Sequence, residues 1–295
     1  MDPVAVALVL CAAVLHVAWN VILKTAGDPL RTATVGVAVA AVMLLPVALA
    51  AWLLDGARPI PPHALGIGVV SGGVEVAYFV LLSAAYRRGD LSLVYPLARG
   101  TAPLAAVAIG VGVLGERLAP VGFAGVVLLL AGLLAVQRPW RLLGAAAAGD
   151  RPAAGLALAT GVLIATYSAL DRVGVQLTHP LVYAAILWTT CAVGLVGWFT
   201  ATSRRPGARP VRPGLQPGRG IAAGIMTVVA YGLVLFALSR APLAAVAPLR
   251  ESAIVLATVV GVAGLGEASR RGEAVWRVAG AGLIVAGAAA LALGG

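Results

Sequence analysis

Charge is scarce in this sequence: 11% of its 295 residues are Asp, Glu, Lys or Arg and 5% are aromatic, whereas 61% are hydrophobic. A soluble domain carries about a quarter charged residues, so water is excluded as the solvent for most of this chain. Cysteine occurs only at Cys11 and Cys191, both inside apolar runs, which excludes a disulfide or metal framework and leaves two small hydrophobes. Histidine is limited to His16, His63 and His179, and no His-Glu-x-x-His or Cys-x-x-Cys occurs. The single lysine, Lys24, stands outside any Gly-x-x-x-x-Gly-Lys-Ser/Thr loop, so no ATP-driven motif is present and no enzyme chemistry is expected. No Lys or Arg precedes Lys24, and the first apolar segment therefore reads as a retained anchor.

What is present is a succession of apolar runs long enough to cross hydrocarbon, which takes about 20 residues as a helix. They do not alternate in polarity, as 121–136 (VGFAGVVLLLAGLLAV) illustrates, so barrel strands are excluded. Ten helical spans are predicted, at 4–24, 32–54, 64–86, 91–114, 119–137, 152–172, 180–201, 220–239, 242–265 and 274–293, separated by Pro, Gly and Arg turn signals. A net charge of +10 comes from arginines scattered among short connections with no nucleic-acid motif, and anionic lipid headgroups account for it.

The two halves repeat each other. Residues 84–97 (AAYRRGDLSLVYPL) align with 236–249 (FALSRAPLAAVAPL), and both halves then reach Leu-Gly-Glu, at 114–116 and 265–267. Leu15, Trp19, Asn20 and Lys24 fall opposite Leu163, Tyr167, Ser168 and Arg172. Two repeats are expected, 1–143 and 144–295, each of five spans. An odd number of spans makes the second enter from the opposite side, an arrangement suited to alternating access around a site near the bilayer midplane.

HVAWNVILK at 16–24, VYPLARGTAPL at 94–104, LGERL at 114–118, TYSALDR at 166–172, APLRES at 247–252 and GLGE at 264–267 together resemble the EamA-type members of the drug/metabolite transporter superfamily, over nearly the whole chain. The resemblance implies a ten-helix, all-α membrane fold in two inverted five-helix repeats around a central cavity. It also implies secondary transport, often export, of small metabolites such as amino acids or related compounds, and a multi-pass place in a bacterial plasma membrane. The sequence departs from the family after the second Leu-Gly-Glu, where GLGEASR lacks the usual apolar residue. Family members keep both termini in the cytoplasm, whereas here the connections after spans 1, 3, 5, 7 and 9, counted with the span ends that flank them, hold fifteen Lys and Arg against four for those after spans 2, 4, 6 and 8. By the positive-inside rule that count puts the termini outside; the two orientations stay open.

Charges inside spans mark the candidate site, because an isolated charge at the bilayer centre costs roughly 2.5–3.5 kcal/mol even on the milder scale. Arg99 and the pair Arg250 and Glu251 occupy aligned positions after prolines, and Pro96, Gly100 and Pro103 should open the backbone beside Arg99. The arginines are expected either to bind an anionic or zwitterionic solute through their planar forks or to pair with Glu251 as internal glue or latch. Asn20, Trp19, Tyr95, Tyr78, Ser168 and Tyr167 complete the expected solute-binding set. Glu75, mid-span with Gly72 and Tyr78 on one helical face, is the proton-coupling candidate, with His16 a weaker one; the alternative for Glu75 is a hydrogen-bonded acid fixing helix packing.

Lys24, Asp171 and Arg172 are read as interfacial anchors near helix ends. Glu116 and Glu267, at the paired Leu-Gly-Glu, are read as a cap for a neighbouring helix or partners of an arginine, with a gate as the alternative. Trp52, Trp140, Trp198 and Trp276 read as interfacial belt residues. The expected partners are a small solute, the lipid bilayer and protons, with no nucleic acid, no cofactor and no metal; a monomer is compatible with this reading. A channel, scramblase or helper subunit stays open as the rival function.

Overall fold

The computed structural model describes residues 1–24, 29–89, 91–138, 151–203, 217–252 and 271–293. Side chains of residues 17–24 lie outside the description, as do those of 29, 91–92, 203, 217, 219, 271–275 and 277. Among the described residues there are ten α-helices: α1 (Pro3–Lys24), α2 (Pro29–Leu54), α3 (Pro62–Tyr86), α4 (Leu91–Gly112), α5 (Pro120–Gln137), α6 (Arg151–Gly174), α7 (Pro180–Ser203), α8 (Pro217–Arg240), α9 (Leu243–Arg250) and α10 (Arg271–Leu293). Seven of the helices are apolar spans of 18 or more residues, long and apolar enough to cross a membrane, and the chain is a multi-pass integral membrane protein.

Proline sets the helix starts. It occupies the first or second helical position of α1, α2, α3, α5, α6, α7 and α8, and precedes α9 as Pro242. There the missing N–H costs nothing and the fixed φ suits the helix. α4 ends at Gly112, short of the expected 114, and Glu116 lies in the following turn, where Gly115 takes φ +64. α9 stops at Arg250 with Glu251 as its C-cap, so the two charges expected within a continuous span sit at a helix end.

The extensive helix pairings run between the halves of the chain: α5 with α10, α4 with α6, α3 with α6, α1 with α8, α2 with α7 and α8, α3 with α7, and α4 with α9. Glycine makes the tightest of these. A Cβ on Gly132 would lie 2.6 Å from the Gly280 carbonyl, and one on Gly287 would lie 2.6 Å from the Gly125 carbonyl, so α5 and α10 meet backbone to backbone. Several helix ends share one face. The amino terminus, at the start of α1, donates to the Leu291 carbonyl at the end of α10 over 2.8 Å, and Asp2 pairs with Arg240 at the end of α8 over 3.2 Å.

Candidate functional site

The cluster begins with the charges that the bilayer makes costly. Arg99 of α4 donates through Nη1 to Glu251 Oε1 at 2.9 Å, and Arg250 Nε stands 3.7 Å from the same oxygen. All three are buried, at 7%, 6% and 3% exposure, so one carboxylate faces two guanidiniums in a space with no room for bulk water. Arg99 also lies 5.7 Å from the centre of the Tyr95 ring, one helical turn earlier, within cation–π range. Pro103 lacks the N–H that would close a turn on the Arg99 carbonyl. Arg250 Nε has no hydrogen-bond partner.

A second buried group centres on Asp171 of α6. Its Oδ1 accepts from Ser71 of α3 at 2.5 Å and from Tyr183 of α7 at 2.9 Å, and its Oδ2 accepts from the Tyr231 hydroxyl of α8. One carboxylate thus ties four helices together. Glu75 of α3 lies nearby, beside the Cys191 thiol of α7, and its Oε2 has no hydrogen-bond partner. Aromatic rings fill the space between the charges: Tyr78 meets Phe79 at 4.8 Å and Tyr167 at 5.8 Å, Tyr167 meets Tyr231 at 6.0 Å, and Tyr231 meets Trp188 at 5.9 Å, all edge to face.

The two groups adjoin. Tyr167, whose ring packs on Tyr78 and on Tyr231, lies close to Arg250, Glu75 and Arg99, and His16 of α1 lies close to Arg99 and Arg250. Ser168, next to Tyr167, is 2% exposed and its hydroxyl has no partner. The structure therefore brings together Arg99, Arg250, Glu251, Tyr95, Tyr78, Tyr167, Glu75 and His16, with Ser168 buried on the same helix as Tyr167. Asp171, expected at the membrane boundary, is fully buried among them instead, because three hydroxyl donors solvate it. Trp19, Asn20 and Lys24 belong to α1, but their side chains lie outside the described residues, and Glu267 and Trp140 lie outside them altogether. Trp198 and Trp276 are exposed on the outer surface, and Trp52 Nε1 donates to the Arg58 carbonyl at 2.7 Å.

Sequence reasoning missed Ser71, Phe79, Tyr183, Trp188, Cys191 and Tyr231. A tryptophan in the middle of a span, as Trp188 is, was the available signal, since belt residues sit at span ends. Among the described residues, no group of three or more His, Cys, Asp or Glu could hold a metal ion.

Towards the face shared by the chain's first residues, Glu116 accepts the backbone N–H groups of Leu243 at 2.7 Å and Ala244 at 2.9 Å, the first two of α9. Arg172 Nε, 3.3 Å away, pairs with the same carboxylate, and Arg172 Nη1 also donates to the Leu238 carbonyl of α8. Gln176 adds a bond to the Ser239 carbonyl at 3.0 Å. A carboxylate on the first N–H groups of a helix satisfies orphan donors and complements the helix dipole.

Residues 3–137 match the EamA-like transporter family. Seventy residues are 40% identical to the spermidine export protein MdtI of Salmonella paratyphi B, and equally to that of Salmonella newport; the match spans 24% of this chain and 64% of those proteins. A crystal structure of a protein 22% identical in sequence superposes with a TM-score of 0.70, covering 98% of this chain and 97% of the other, and shares the fold.

Proposed function

We propose that this chain, whose residues 3–137 match the EamA-like transporter family, is a secondary transporter that moves a small zwitterionic or anionic metabolite, an amino acid or related compound, by alternating access between two inverted five-helix repeats. The observation that carries the substrate class is a set of three buried polar atoms without hydrogen-bond partners: Arg250 Nε, which has only the 3.7 Å ion pair to Glu251, Ser168 Oγ and Glu75 Oε2. An unpartnered buried polar atom costs about 1–3 kcal/mol, more if charged, and a solute that satisfies all three recovers that cost. Arg250 and Ser168 donate to a carboxylate, Glu75 accepts from an ammonium, and the Tyr78 and Tyr167 rings between them cover the aliphatic part.

The inverted arrangement finds support in the helix ends. The start of α1 and the end of α6 lie at one face, as do the end of α4 and the start of α9, so these repeat-related helices run in opposite directions. The charges support proton exchange at Glu75. Arg99 and Arg250 balance Glu251 and Asp171, which leaves Glu75 as the fifth charge, where a proton and a solute ammonium can replace each other.

The test is binding of glycine, alanine, glutamate and spermidine to purified protein by thermal shift, then flux of any hit into proteoliposomes. An amino acid is expected to stabilise the wild type, and Arg250→Ala to weaken its binding about tenfold or more, the worth of a charge-assisted bond. If amino acids leave both Tm and flux untouched in folded protein, the zwitterion reading is wrong. Spermidine is the second reading, favoured by the Glu75 and Asp171 carboxylates beside five aromatic rings and by the relatives' export of that polycation. Stabilisation by spermidine alone, lost in Glu75→Gln, would select it.

A further inference from the structure

α9 is an eight-residue helix, wholly buried, with a different charged group at each end. Its first two N–H groups rest on Glu116, and its last residues, Arg250 and Glu251, belong to the charge cluster that meets Arg99. At about 1.5 Å per residue the two ends are roughly 10 Å apart, so the helix is a short rigid strut between the cluster and the face that holds Glu116. α4 and the turn after it are therefore tied twice to α9 and its C-cap, by Arg99 to Glu251 and by Glu116 to Leu243 and Ala244. Gly110 of α4 fits beneath the second tie: a Cβ there would come within 3.1 Å of the Ala244 nitrogen.

We propose that Glu116 is a positioning residue, the catch that holds this face shut and transmits solute occupancy at Arg250 to it along α9. The proposal rests on the carrier reading above. A solute carboxylate that draws Arg250 away from Glu251 shifts the far end of the strut, and the Leu243 and Ala244 N–H groups leave the Glu116 carboxylate. Arg172 makes the catch selective for a carboxylate. It neutralises Glu116 from the side and holds α8 to it through the Leu238 carbonyl, so α4, α6, α8 and α9 part together.

The experiment is thiol labelling of full-length protein in proteoliposomes with a membrane-impermeant maleimide, on a Cys11→Ala background. Ala241→Cys, 1% exposed between α8 and α9, reports on the catch, and Pro59→Cys, exposed in the connection between α2 and α3, is the control. With Glu116 intact, Ala241→Cys should label slowly. Glu116→Ala should raise that rate tenfold or more with the control unchanged, and Glu116→Gln, which keeps an acceptor oxygen, should fall between. If Glu116→Ala fails to fold, Arg172→Gln supplies the same readout by removing the side support alone. Folded Glu116→Ala or Arg172→Gln protein that labels at the wild-type rate overturns the proposal, even where its Tm is lowered, since a purely structural role changes stability and not access. This arm needs no solute, so it stands or falls separately from the zwitterion reading. In a second arm, alanine at saturating concentration should speed labelling in the intact protein and add nothing in Glu116→Ala.

Discussion

Glu251 is the only carboxylate in contact with both Arg99 and Arg250 among the described residues, and this makes the three residues unequal. Removing Glu251 leaves two guanidiniums buried against each other, whereas removing Arg99 leaves Glu251 with Arg250 still 3.7 Å away. Loss of one partner from a buried pair costs about 3–5 kcal/mol. Glu251→Leu is expected at or above that range and Arg99→Leu clearly below it. Denaturant titration in detergent micelles measures both, and an Arg99→Leu cost equal to or larger than that of Glu251→Leu would contradict the shared-carboxylate account. The charged residues were legible in the sequence because a low-dielectric span makes every charge conspicuous. Their hydroxyl partners were not. Tyr183 and Tyr231 look like ordinary apolar-span aromatics, and only the rotation of α7 and α8 about their axes turns both hydroxyls onto Asp171.

Among the helices, starts were easier to read than ends. Proline at the first turn marks a start by its own covalent geometry, whereas the stop of α9 at Arg250 is invisible in a sequence that runs on as ESAIVLATVV with unbroken hydropathy. The contact surfaces were half legible: glycine pairs signal close approach without saying to which partner. The seam of α5 and α10 supplies a sharp test. Gly132→Ala places a methyl group against the Gly280 carbonyl at 2.6 Å and the Ile284 nitrogen at 2.9 Å, both backbone, which cannot swing away. Overpacking of this kind costs about 1–3 kcal/mol. Gly282→Ala, on the partner helix α10 with nothing within 4 Å, should be neutral or slightly stabilising through helix propensity. Equal Tm values for the two variants in one detergent would mean that α5 and α10 are not in backbone contact.

At the scale of the whole molecule, the sequence repeat divides the chain into halves that the fold does not keep apart. Among the described residues, each extensive interface joins a helix before residue 143 to one after it, while neighbours within a half, such as α1 with α2 or α3 with α4, meet only slightly. The polar core is divided the same way. Arg99 comes from the first half and Glu251 from the second, Ser71 from the first and Asp171 from the second, Glu75 from the first and Cys191 from the second. A half on its own therefore lacks its packing partners, and the first half also lacks the carboxylate that offsets Arg99; in lipid an unmatched polar group has no water to turn to. Residues 1–143 and 144–295 expressed as separate chains should each be degraded or aggregate, and expressed together they should associate and recover solute-dependent stabilisation, because the covalent link contributes none of these contacts. Co-purification of the two chains with a single unfolding transition is the expected result. Stable, monodisperse protein from either half alone would mean that the buried charges find partners within one repeat, and the account of a core assembled across the halves would have to be given up.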